Sequence, residues 1–115
     1  MTYATNLELL INKKLELTRQ TAMQTVYNQY ISASEQELLA VENDLIKLAS
    51  TESAKDPLNA ALEYAKAHSN FTKVQTLIND RSNIQNIINM YKNLNTEINE
   101  SISILETFIN DTTAI

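Results

Sequence analysis

Thr51-Glu52-Ser53-Ala54-Lys55-Asp56-Pro57 lies near the middle of the chain and decides how the rest is read. Asp56 is a good N-cap, and Pro57 suits a first helical position, where a missing N–H costs nothing. Proline also drives Asp56 out of helical backbone, so a helix arriving from the N-terminal side must stop before it. The stretch predicts a turn at about 52–57 with a helix on each side.

Composition supports helices on both sides. The 115 residues include no glycine, one proline, no cysteine and no tryptophan. Without glycine, tight hairpin turns, bulges and phosphate-cradling loops lose the residue that tolerates positive φ. β-sandwiches, β-barrels, Rossmann folds and P-loops all rely on it. The class expected is all-α, as a single helical domain over 1–115.

Outward from the turn, two further breaks are suggested by capping boxes, neither enforced by glycine or proline, so a continuous helix could read straight through either. Ser34 and Glu37, or Ser32 and Glu35, have the required spacing, as do Ser82 and Gln85. Four helical segments result, at roughly 4–31, 34–51, 57–79 and 83–110. In the last, Ile84, Ile87, Tyr91, Leu94, Ile98, Ser101, Leu105 and Phe108 alternate steps of three and four, a heptad seam. Segment 34–51 has Leu38, Val41, Leu45 and Leu48 on one line. Segment 57–79 has the stripe Tyr64, Ala67, Phe71, Val74 and Ile78, flanked by Leu58, Ala61, Leu62 and Ala65. The first segment carries one line through Ile11, Leu15, Ala22 and Val26. Leu7, Leu10, Leu17, Met23, Tyr27 and Tyr30 spread round the rest of the cylinder, a pattern expected of a helix with neighbours on two sides. Two architectures fit: an antiparallel bundle of the four segments, or a long helical hairpin with coiled-coil character.

The chemistry available is sparse. With one histidine, His68, and Ala65 three residues before it, the paired Glu-x-x-His of di-iron bundles is excluded. No cysteine can act as nucleophile or zinc ligand. No Asp-x-Asp-x-Asp-Gly loop suggests calcium. No catalytic residue, metal, cofactor or small-molecule ligand is therefore expected, and the chain reads as a non-enzyme.

A net charge of −5 disfavours nucleic acid as a partner. The acids fall in blocks. Residues 35–63 hold seven acids against Lys47 and Lys55, whereas 64–92 hold Lys66, Lys73, Arg81 and Lys92 against Asp80. Antiparallel neighbours would bring these blocks face to face. The aliphatic run Leu9-Leu10-Ile11, like every other in the chain, is far short of the about 20 residues of a membrane span. No basic segment precedes an apolar core, so no cleavable signal peptide is expected, and either the cytoplasm or signal-less export fits. Five tyrosines (Tyr3, Tyr27, Tyr30, Tyr64, Tyr91) border the apolar stripes, which suits core edges and protein interfaces. Asn79, Asn83, Asn86 and Asn93 share a face away from the final seam.

In size, helicity and lack of cysteine the chain resembles the Trp-x-Gly family of exported helical hairpins. It departs at the defining turn, where Asp56-Pro57 stands in place of Trp-x-Gly, and at the export signal, since Asn95 follows Tyr91 and His68 follows Tyr64 at the fourth place. The stretch from Asp56-Pro57 through Tyr64 to Phe71 is similar in spacing to type III secretion needle subunits. These resemblances imply an exported helical-hairpin subunit or a secretion chaperone as the alternative function. The residues themselves point to a helical interaction or structural subunit. Its seam, Ile84, Ile87, Tyr91, Leu94, Ile98, Leu105 and Phe108, would self-associate or bind a partner helix.

Overall fold

The computed structural model describes residues 3–113, with side chains from 6 to 112; the side chain of Tyr3 lies outside that range. The fold is all-α, of the helical hairpin or bundle type. It comprises α1 (Tyr3–Leu48), α2 (Pro57–Ala67) and α3 (Thr72–Thr113), with no strand among the described residues.

The central turn falls where the sequence puts it, but α1 ends in a way that composition conceals. Ser50 has φ 55°, the one non-glycine residue at positive φ among those described. The Thr51 N–H donates to the Ile46 carbonyl at 3.0 Å and the Ser50 N–H to Lys47 at 3.1 Å. This pair of bonds is a Schellman motif, in which a left-handed residue lets the chain fold back over the last carbonyls. Serine occupies the position glycine favours. The Thr51 hydroxyl then bonds the carbonyls of Ile46 (3.2 Å) and Pro57 (3.1 Å), tying the end of α1 to the start of α2. Asp56 caps α2 as expected, its carboxylate accepting from the Asn59 N–H at 3.2 Å, with Pro57 following in the first turn. Left-handed backbone is costly for a residue with a Cβ, so Ser50→Gly should stabilise the fold by about 0.5–1 kcal/mol. Chemical denaturation reads this directly, and a loss of stability would contradict the cap.

The weaker breaks are not where the capping boxes suggest. α1 runs unbroken through 32–34 and α3 through 79–83. Serine caps without glycine or proline do not enforce a stop, and apolar spacing on either side carries the helix through. The second break lies at 68–71 instead. There the His68 N–H and its Nδ1–H both donate to the Tyr64 carbonyl, at 3.0 and 2.9 Å. The Phe71 N–H closes onto the His68 carbonyl at 3.1 Å. The His68 ring stacks on Tyr64 with centroids 4.0 Å apart. The histidine thus caps α2.

Two compact units divide the chain: Ile31–Met90, and Met1–Tyr30 with Tyr91–Ile115. In the first, the end of α1, α2 and the start of α3 enclose Leu45, Ala61, Ala65 and Val74, all nearly or fully buried. The break at 68–71 explains why the strip Ala61–Ala65 forms the core while Ala67 and Phe71, placed on the main stripe by sequence, are exposed. Two alanines at helical spacing let α2 approach its neighbours closely. Arg81 Nε donates to Glu42 Oε2 at 3.1 Å across α3 and α1, so part of the basic block does meet the acidic one.

In the second unit, the beginning of α1 runs antiparallel to the end of α3. Asn95 donates to Asn28 at 2.9 Å, and four residues along in opposite directions Gln24 donates to Asn99. Tyr91 packs between Tyr27 (5.9 Å) and Tyr30 (5.1 Å). Leu105 and Ile109 are the buried aliphatic residues here.

Candidate interaction surface

The residues of α3 turned from solvent recur at steps of three and four: Ile84, Ile88, Tyr91, Asn95, Ile98, Ile102, Leu105 and Ile109. Of the expected seam, Leu105 is buried, and Ile84, Tyr91, Leu94, Ile98, Ser101 and Phe108 are partly buried. Ile87 is 42% exposed, and its neighbour Ile88 goes inside instead. Alternating Ile87-Ile88 offers either residue to the same row, and only the angle at which α1 meets α3 chooses between them.

Within each unit, that face of α3 lies against α1. Ile84 borders a groove with Ala40 and Val41, and Tyr91 meets Tyr27 and Tyr30. The matching face of α1 over 10–31 is Leu10, Lys13, Leu17, Gln20, Gln24, Tyr27 and Ile31, again at alternating steps of three and four. Three of its seven members are polar. Gln20 Oε1 and Asn95 Oδ1 are buried there with no hydrogen-bond partner, each costing about 1–3 kcal/mol.

The line Ile11, Leu15, Ala22 and Val26 sits on the opposite side of α1. Ile11 is 51% exposed, Leu15 52% and Val26 40%, and Ala22 is exposed as well. Leu7 and Tyr30 are exposed as well but turn away from this line, and the Tyr30 ring lies against Tyr91. Spacings of four and seven keep Ile11, Leu15, Ala22 and Val26 within about 60° of one another round the helix. Past Tyr30 the same side of the helix carries exposed Ala33 and Ala40 among Gln36, Asp44 and Lys47. Apolar residues that share one exposed face of a helix differ from singly scattered ones, which need no explanation.

Among the described residues, no group of three His, Asp or Glu side chains is placed to hold a metal ion. No described helix is long and apolar enough to cross a membrane. A groove of about 580 Å³ between α2 and α3 is lined by Leu62, Val74 and Ile78, and its charged members Glu63 and Lys66 pair with each other at 3.8 Å. No family model, curated protein or solved structure matches the chain.

Proposed function

We propose that this protein is a non-enzymatic helical interaction or structural subunit that offers the outward stripe of α1 to another helix. The observation that carries this reading is the apolar line Ile11, Leu15, Ala22 and Val26, exposed on a helix whose other face is already occupied. The coiled-coil spacing of α3 has its partner helix in α1 of the same chain. What is left for a second chain is the back of α1. Helix-in-groove recognition lays an amphipathic helix on apolar anchors spaced by three, four and seven residues, and a few central residues supply most of the affinity. A protein partner fits the stripe better than a nucleic acid, because its rim carries few charges and the chain as a whole is acidic.

Photo-crosslinking tests this in living cells. A benzophenone amino acid at Leu15 should capture a discrete protein adduct, while the same probe at Glu97, an exposed residue of α3, should not. Equal, diffuse capture at both positions would sink the proposal.

A further inference from the structure

The outward line of α1 fits a heptad register. Ile11, Leu15, Thr18, Ala22 and Thr25 take alternate d and a positions, and Val26 borders them at e. All six are exposed. In that register Lys14 falls at g and Arg19 at e, the positions that flank a helix–helix seam and choose its partner. Both are exposed, and among the described residues neither is drawn into an ion pair. Between residues 9 and 34 the one acid, Glu16, pairs with Lys13 at 3.7 Å. Lys14 and Arg19 are left as unpaired bases in a chain whose net charge is −5.

We propose, on the basis of the interaction reading above, that the occupant of this face is an amphipathic helix of another protein, with acidic side chains flanking its apolar line. Charge picks this partner out. From residue 7 to 28 the e and g positions of α1 hold no acid. A second copy laid on this face in either direction finds no opposite charge there, and a parallel one sets Lys14 against Arg19. An acid-flanked helix instead meets a base on each side of the seam.

The seam also has a shape that suits a different helix better than a copy. Ile11 and Leu15 are its anchors, whereas Thr18, Ala22 and Thr25 are small and leave room for bulkier groups opposite. The hydroxyls of Thr18 and Thr25 already donate to the carbonyls of Lys14 (3.1 Å) and Thr21 (3.2 Å), so covering them orphans no donor. Glu8 takes the a position ahead of Ile11 and ends the seam there. A seam of about two heptads is short, so the apolar line alone holds a partner weakly and the flanking charges decide which helix is chosen. A lipid surface is a poorer fit, since interfacial helices carry many bases opposite a face rich in Trp, Phe and Leu.

Two synthetic helical peptides serve as probes. They share leucine at every a and d position, with alanine and glutamine elsewhere, and differ only in carrying glutamate or lysine at every e and g. Like charges keep each peptide from pairing with itself. Fluorescence anisotropy at low salt should show the glutamate peptide binding the full chain about tenfold more tightly than the lysine peptide, and the gap should narrow as salt is added. The double variant Lys14→Glu, Arg19→Glu should reverse the order, and Leu15→Glu should abolish binding of the glutamate peptide. Equal binding of the two peptides, a preference untouched by the charge reversal, or no binding of the glutamate peptide would overturn the proposal. Wild-type self-association that Leu15→Glu removes would give the face to a second copy and overturn it too. Binding to vesicles of phosphatidylserine and phosphatidylcholine, lost in the same variant, would give the face to a lipid surface with the same consequence. With the proposal overturned, a discrete Leu15 photo-adduct would leave the interaction reading standing, and the absence of any adduct would remove both.

Discussion

Leu45→Ala should cost about 2–5 kcal/mol of folding stability and lower the melting temperature by roughly 10 °C or more. Leu45 is completely buried, and it is the largest side chain in a core otherwise built from Ala61, Ala65 and Val74. Ile46, Leu48, Leu62, Tyr64, Leu77 and Ile78 pack against this core, and how far they relax into the space left by Leu45 sets where in the range the loss falls. Leu39→Ala, at 59% exposure on the same helix, should change stability by less than about 0.5 kcal/mol. Equal effects at the two sites, read by thermal or urea unfolding, would mean that the core of residues 31–90 is wrongly placed.

Leu105→Asp should be as damaging, and its damage should be local. Leu105 is 6% exposed on the inner row of α3, where it faces α1 in the unit formed by the two chain ends. An unpaired carboxylate there must either remain charged in an apolar setting or force the helices apart. Either route costs about 3 kcal/mol or more. That unit has little to absorb such a loss, because its inner face includes Gln20, Gln24 and Asn95 and two unsatisfied amide oxygens. Hydrogen exchange should show protection lost over 91–112 and the beginning of α1. Amides around Leu45, Ala61 and Val74 should keep theirs, since they belong to the other compact unit. Uniform loss along the whole chain would show that the two units unfold as one.

Much of this fold was legible from residue types. Zero glycine pointed to helices, and Asp56-Pro57 placed the central turn, because a proline acts on the backbone next to it whatever packs nearby. The signals that failed were the ones that depend on context. Ser34 and Ser82 satisfy a capping pattern, yet a capping side chain also tolerates the helix interior, so the helices ran through both. The break at 68–71 has Ser69-Asn70 as its sole sequence sign, and the His68 ring against Tyr64 supplies what a glycine would have given. Ser50 shows the same substitution at the end of α1.

The candidate surface was half legible. Ile11, Leu15, Ala22 and Val26 were visible as a line, but nothing in the sequence says whether such a line faces inward. Hydrophobicity alone would bury it and leave Lys13, Gln20 and Gln24 outside. The structure does the reverse, because Tyr27, Asn28 and Gln24 have partners on α3 in Tyr91, Asn95 and Asn99. Which of two candidate faces turns inward depends on pairing with residues more than sixty positions away. For the same reason Ile88, and not Ile87, joined the inner row.

On the proposed reading, α1 has one face closed against α3 and an apolar line, Ile11, Leu15, Ala22 and Val26, turned outward. Equilibrium unfolding of the double variant Leu15→Glu, Val26→Glu in dilute solution tests it most directly. If the stripe faces outward, two glutamates there should leave helicity unchanged and shift stability by less than about 1 kcal/mol, in contrast to the several lost by Leu105→Asp. A loss of several kcal/mol in the double variant would place the stripe inside the fold of its own chain and contradict the account.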